Sequence, residues 1–348
     1  MNRRKTRQIK VGDLTIGSEH PIVIQSMTNT RTGDVEATVD QILKLEALGC
    51  EVVRVTVNDT QAAEAISEIK SRIHIPLVAD IHFDYRLALK AIENGIDKLR
   101  INPGNIGDES RIKAVVDACK EKQIPIRIGV NGGSLDPDIA GLFGVSAKGL
   151  YESAMKHIRI LESFDFYDII ISIKASDIEM TLEAFKMLSD KVDYPFHIGI
   201  TEAGTAFKGT IKSSIGLGAL LLNGLGDTIR VSLTADPLEE IPVCKEILNT
   251  LGLRQFGIKF ISCPTCGRTQ TQMIEIAKSV EKAVAHINKD VSVAIMGCAV
   301  NGPGEAREAD LGVACGKGSG LIFEKGEIIK KVSEEEIVPT LVKMIEEF

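Results

Sequence analysis

The chain has 348 residues, a net charge of −7, 44% hydrophobic and 26% charged residues. That length suits one large domain and a smaller one. The acidic balance excludes a general nucleic-acid binder, which needs a basic face, and no apolar run approaches the roughly 18 residues that span a bilayer.

The first ten residues are basic, but no apolar core follows them. They do not read as a secretory signal, and the expected location is the cytoplasm. From residue 20 to 255 one unit repeats: a short β-branched run, a loop, then an amphipathic helix. The expected strands are 22–25, 52–57, 77–80, 98–101, 126–130, 169–174, 197–200 and 228–232. The expected helices are 35–48, 61–71, 86–94, 109–122, 147–163, 178–189, 206–222 and 238–251. Several end at a Gly suited to a left-handed cap, as at Gly49 and Gly95. Eight strands alternating with eight helices define an α/β class chain whose first domain, 1–255, is a (β/α)8 barrel. No GxGxxG follows the first strand, which argues against a doubly wound sheet.

The pattern changes near residue 257. A strand at 257–262, a helix at 271–287, a strand at 291–296, a hairpin at 311–314 and 320–324, and a helix at 334–346 make a small α+β domain, 256–348.

Side chains alternate across a strand with period two. One parity of the barrel strands is Val, Ile or Leu, suited to packing under helices. The other carries Arg54 with Thr56, Asp80 with His82, Arg100 with Asn102, and Arg127 with Gly129 and Asn131. It also carries Ser172, Lys174 and Ser176, then Arg230 with Ser232. Five cations therefore point into the lumen near the C-terminal strand ends, where barrel sites lie. The anions near them are chiefly Asp80 and Glu202, too few to pair all five, and unpaired buried charge costs several kcal/mol. Arg suits bidentate capture of phosphate. The loop 201–205 opens a helix after the seventh strand, a frequent phosphate site. The expected ligand carries more than one phosphate group.

Seven cysteines in a reducing compartment do not suggest a disulfide framework. Cys50 and Cys119 read as buried small hydrophobes. Cys263 and Cys266 lie on one turn, and Cys298 follows a strand 32 residues later. Three such cysteines in one small domain read as a metal site. Zinc would require a fourth ligand, from Cys315 or His286. An iron–sulfur cluster on three thiolates leaves one iron for an oxygen ligand, for which Glu305 is the best placed. Spacing alone leaves both readings open.

Longer motifs add a resemblance. Pro-Thr-Cys-Gly-Arg-Thr around Cys266 and Met-Gly-Cys-Ala-Val-Asn-Gly-Pro-Gly-Glu around Cys298 resemble the 4-hydroxy-3-methylbut-2-en-1-yl diphosphate synthase family of the non-mevalonate isoprenoid pathway. So do the segments 24–28, 79–83, 100–105 and 199–204, and the resemblance spans essentially the whole chain. It implies a TIM barrel joined to a ferredoxin-like iron–sulfur domain. It implies a [4Fe–4S] cluster on Cys263, Cys266, Cys298 and Glu305, and a small cyclic diphosphate as substrate. It places the diphosphate contacts on Arg54, Arg100, Arg127, Asn131, Lys174, Thr201, Arg230 and Ser232. It implies a two-electron reductive ring opening, with flavodoxin or ferredoxin as electron donor.

In that reading Glu202, at the barrel mouth, is the proton donor, its neutral form favoured by burial. Asp80 and His82 orient arginines or relay protons. Helix eight runs back from strand eight, so the chain leaves the barrel at the face opposite its site. A barrel strand is roughly 20 Å tall, so a cluster attached there cannot reach its own substrate. The expected assembly is a head-to-tail homodimer in which each cluster caps the partner's barrel.

Overall fold

Each β-branched run of the first 254 residues becomes a strand because one face meets helices and the other the lumen. A short hairpin comes first, β1 (Ile9–Val11) against β2 (Leu14–Ile16). The barrel strands are β3 (Val23–Met27), β4 (Val52–Thr56), β5 (Leu77–Asp80), β6 (Lys98–Ile101), β7 (Ile126–Asn131), β8 (Ile169–Lys174), β9 (His197–Ile198) and β10 (Thr228–Ile229). This computed structural model describes residues 3–269, 271–287, 289–298 and 309–348. All eight barrel strands pair in parallel with their chain neighbours, and β10 returns to β3. The ring closes between β8 and β9 through a bridge of Ile171 to Phe196, with Ile171 N–H on Pro195 O at 2.9 Å.

The outward parity is a continuous apolar layer: Ile24, Val53, Val55, Ala79, Leu99, Ile128, Ile171 and Ile173 are all fully buried. Helices start sharply because an Asp caps them. Asp34, Asp59, Asp84, Asp108 and Asp177 each accept a backbone N–H from the first turn, a bond worth about 1 kcal/mol.

Two features of the barrel strands and their plug differ from the sequence expectation. The first hairpin was not expected, since three-residue strands carry no readable period. Ile9, Val11 and Ile16 pack on Val23, Val52, Val78 and Ile170, the lowest inward residues of four barrel strands. The hairpin thus plugs the N-terminal end of the lumen, each side chain contributing about 1.5–3 kcal/mol. The last two strands are also shorter than 197–200 and 228–232. Beyond Ile229 the pairing with the preceding strand continues only as single bonds, Arg230 N–H to Ile198 O and Thr234 N–H to Gly204 O. Between them Leu233 N–H is taken by the Glu240 carboxylate at 3.2 Å, so a side chain interrupts the ladder.

The helix Glu240–Thr250 runs back to the N-terminal face. There Arg254 Nη1 bonds Ile22 O and Glu51 Oε2, both at 2.7 Å, at the start of β3 and β4.

The second compact unit is Gln255–Phe348. Its strands are β11 (Lys259–Ser262), β12 (Ser292–Met296), β13 (Leu311–Gly316), β14 (Ser319–Glu324) and β15 (Glu327–Ser333), ordered as numbered in one sheet. The first three are parallel and the last three antiparallel. The helices Met273–Ala283 and Ile337–Glu347 cover it, burying Val280, Val293, Ile295, Val313, Ile322 and Leu341. β15 was not expected as a strand. It is an exposed edge whose Lys330 and Lys331 obscure any apolar alternation and guard against edge pairing.

Candidate active site

The C-terminal strand ends surround a cavity of about 710 Å³. Arg54, Arg100, Arg127, Lys174 and Arg230 all line it, with Asn131, Thr201 and Ser232. Strand parity sets them there: in parallel register Arg54 neighbours Val78, Asp80 neighbours Arg100, and Arg100 neighbours Arg127.

Asp80 stands between two of the cations, Arg100 Nη1 at 2.8 Å and Arg54 Nε at 3.5 Å. Burial pushes its carboxyl up, but Arg54 and Arg100 outweigh it and hold the group down to about 2. His82 Nε2 is 3.4 Å from Arg100 Nη1. Burial brings Arg54 down to about 10. Burial, then the surrounding arginines, also push Arg127 and Lys174 well below their ordinary values. Arg127 is 1% exposed, and its Nε and Nη1 have no partner among the described residues. The lumen therefore holds more cation than it can neutralise, and a polyanion would supply what is missing.

Four groups that contact or neighbour the lumen cations escaped the sequence reading. Met27 Sδ accepts from Arg54 Nε at 3.1 Å and Nη2 at 2.8 Å. Lys98 is fully buried one step below Arg100, its Nζ on Gln25 Oε1 at 3.1 Å. His197 is buried with one ring nitrogen against Thr228 Oγ1 at 2.7 Å. Lys98 and His197 share the inward parity, so period two marked both. Glu240, the buried partner of Arg230 at 3.4 Å, begins a helix and had no such mark.

Glu202 departs from expectation. It lines the cavity but is exposed at the rim, with φ of +53°. The burial expected of it is absent. Nor does its side chain pair with the arginines; Asp80 and Glu240 do that instead.

In the second unit, Cys263 follows β11 and Cys298 follows β12, and these strands are parallel neighbours. Gly297 N–H donates to Cys263 Sγ at 3.1 Å, and Met273 Sδ lies 3.6 Å from the same sulfur. Cys266 is exposed; hydrogen bonds from the Arg268 backbone and side chain lower its thiol pKa. Among the described residues no three His, Cys, Asp or Glu side chains gather closely enough to hold a metal ion. Glu305 lies outside the described residues. Of the two candidate zinc ligands, Cys315 is buried in the core, and burial pushes its thiol up to about 11. His286 lies beyond the far end of the helix Met273–Ala283, whose first residue touches Cys263. Eleven helical residues put it roughly 16 Å away. Cys50 and Cys119 are buried as expected.

Two family models match the chain: the GcpE TIM-barrel domain over residues 6–245 and the GcpE protein C-terminal domain over 259–347. A 4-hydroxy-3-methylbut-2-en-1-yl diphosphate synthase (flavodoxin) of Clostridium perfringens is 59% identical over 347 residues, 99% of each chain. One of Fusobacterium nucleatum is 60% identical over 345 residues, 99% of this chain and 98% of its own. Among solved structures, a dihydropteroate synthase of Stenotrophomonas maltophilia superposes with a TM-score of 0.53 at 12% identity, covering 72% of this chain and all of its own. A sialic acid synthetase of Leptospira borgpetersenii gives 0.52 at 13%, covering 82% and 100%. These two share the fold alone. With matching models over both units and such identity along its whole length, the chain belongs to the GcpE family of 4-hydroxy-3-methylbut-2-en-1-yl diphosphate synthases.

Proposed function

We propose that the chain opens 2-C-methyl-D-erythritol 2,4-cyclodiphosphate reductively to 4-hydroxy-3-methylbut-2-enyl diphosphate. Two electrons and two protons enter and the C3 hydroxyl leaves as water. The observation that carries this reading is the barrel cavity, where five cations are met by two paired carboxylates, Asp80 and Glu240. A small cyclic diphosphate matches that charge.

Arg54, Arg100, Arg127, Lys174 and Arg230 hold the diphosphate and stabilise its oxygen as the ring opens. Asn131, Thr201 and Ser232 supply uncharged polar contacts at the rim. Asp80 orients Arg54 and Arg100, and His82 stands beside Arg100. We assign the proton for the departing hydroxyl to Glu202. It lines the cavity without an ion-pair partner among the described residues, so it is available to substrate where Asp80 is not.

The three cysteines of the second unit, with Glu305, would hold a [4Fe–4S] cluster. The chemistry of the donor set fits. Soft thiolates select such clusters, a backbone N–H already faces Cys263 Sγ, and His286 stands at the far end of its helix. When bound, the cluster supplies electrons one at a time. Flavodoxin, named for the relatives, is the proposed electron donor, ferredoxin its alternative, and the cytoplasm the proposed location. No helix among the described residues is long and apolar enough to cross a membrane.

The head-to-tail homodimer belongs to the same reading. Arg254 ties the end of the barrel unit to the N-terminal strand ends, opposite the cavity. A partner's second unit is free of that restraint.

The test is turnover by protein reconstituted anaerobically with iron and sulfide, using dithionite or reduced flavodoxin. A brown protein that bleaches on reduction and forms the linear diphosphate is expected. A colourless protein with stoichiometric zinc sinks the reading.

Gly129 offers a sharper check on the cavity. A Cβ there would fall 2.4 Å from Arg100 Nε and 2.7 Å from Nη2. The clash shifts a buried guanidinium that is bonded to Asp80 at 2.8 Å, so Gly129→Ala is expected to cost about 1–3 kcal/mol of stability. Losing the Arg100 contact should also weaken inorganic pyrophosphate binding of the folded protein about tenfold. Urea unfolding and calorimetric titration measure the two quantities. Unchanged affinity would remove Arg100 from the binding set.

A further inference from the structure

The seam between the last and first barrel strands is held by only two residue pairs, Thr228 with Val23 and Ile229 with Ile24. Above it the Glu240 carboxylate takes over. It is buried, and it opens the helix Glu240–Thr250, where the positive end of the helix dipole favours an anion. Its Oε2 accepts from Ser26 Oγ on β3 at 3.0 Å, and its Oε1 from Leu233 N–H beyond β10 at 3.2 Å. The same two oxygens face Arg230 side-on: Nε reaches Oε2 and Nη2 reaches Oε1, both at 3.4 Å. Arg230 Nη1 lies 3.6 Å from Met27 Sδ.

A guanidinium carries five N–H groups in a planar fork. The side-on carboxylate engages one on Nε and one on Nη2. The end-on pair, one N–H on each Nη, stays clear of Glu240, and Arg230 lines the cavity. An end-on pair of this kind suits two phosphoryl oxygens.

We propose that Glu240 is a positioning residue. It clamps the side-on edge of Arg230 and locks the barrel seam, so that the end-on edge of Arg230 presents to a phosphoryl group in the cavity. This rests on the diphosphate reading above and deepens it. A neutral amide at 240 could keep the bond from Leu233 but would lose the charge that aims Arg230.

The test uses the full chain, with calorimetric titration of inorganic pyrophosphate and, after reconstitution, steady-state kinetics. Glu240→Gln should raise both the pyrophosphate Kd and the substrate KM at least about tenfold while kcat changes less than about threefold. Adding Arg230→Met to Glu240→Gln should weaken binding no further than Arg230→Met does alone. Independent, additive losses, or a lowered melting temperature with unchanged Kd and KM, would overturn the proposal. Should Glu240→Gln not fold, Ser26→Ala decides, since it removes one anchor and no charge. A rise in Kd of about two- to threefold is expected from it, and an unchanged Kd would overturn the proposal. If Arg230→Met binds pyrophosphate like the parent, the placement of the diphosphate itself fails and the role of Glu240 fails with it. If only Glu240→Gln is silent, the diphosphate placement survives.

Discussion

Arg127→Met is expected to leave the ligand-free protein as stable as the parent or more so, and to cripple polyanion binding. Arg127 is a buried cation beside Arg54, Arg100 and Arg230, with two nitrogens unpartnered among the described residues. Folding must desolvate that charge and hold it near its own kind. Exchanging poorly compensated buried charge for an apolar side chain of similar volume is often neutral or stabilising by about 1–4 kcal/mol. The ligand experiences the opposite effect. Two charge-assisted hydrogen bonds to a phosphoryl group are together worth about 3 kcal/mol, or roughly 100-fold in affinity. Urea midpoints without ligand and pyrophosphate titration separate the two quantities. A variant that unfolds more easily yet binds normally would make Arg127 a structural residue and remove the main support for a lumen built around an anion. The expected trade of stability for function is common at binding sites.

The second large effect concerns which barrel a cluster serves. Cys298→Ser should abolish turnover and the cluster's colour while the barrel still binds pyrophosphate. Arg127→Met should keep the colour and lose turnover. Neither chain alone is active. Co-expressed with different tags and purified as mixed dimers, they should regain activity. In the proposed head-to-tail arrangement each mixed dimer would pair one intact barrel with the partner's intact cluster. Random pairing makes half the dimers mixed, with one working site of two, so the unsorted population should recover about one quarter of parental activity. Activity no higher than the sum of the separate variants would mean that each cluster serves its own barrel. The head-to-tail arrangement would then be wrong, whatever the oligomeric state.

Much of this architecture is legible in the sequence. The alternation of β-branched runs with amphipathic helices specifies a barrel because each strand needs a helix to cover its outer face. Period two then assigns Arg54, Arg100, Arg127, Lys174 and Arg230 to the inner face, since a shift of one residue would bury them under helices. Cys263, Cys266 and Cys298 were legible for a similar reason: their spacing places them at strand ends and on one turn. Other features depend on contacts that spacing does not encode. The hairpin β1–β2 is too short for a period, and only the open end of the lumen gives Ile9, Val11 and Ile16 a place to bury. Sequence nominated Glu202 as the second lumen anion because it follows a strand. Its loop instead turns through a left-handed residue and leaves it exposed at the rim. Glu240, ten residues beyond Arg230, is carried back over the barrel seam by the start of its helix. The sequence by itself therefore determined the barrel and the cationic lumen, and put Cys263 and Cys298 at the ends of neighbouring strands, because these follow from local periodicity and spacing. Only the tertiary structure decided which carboxylates neutralise which arginines, because ion pairing depends on distance through space between groups far apart along the chain.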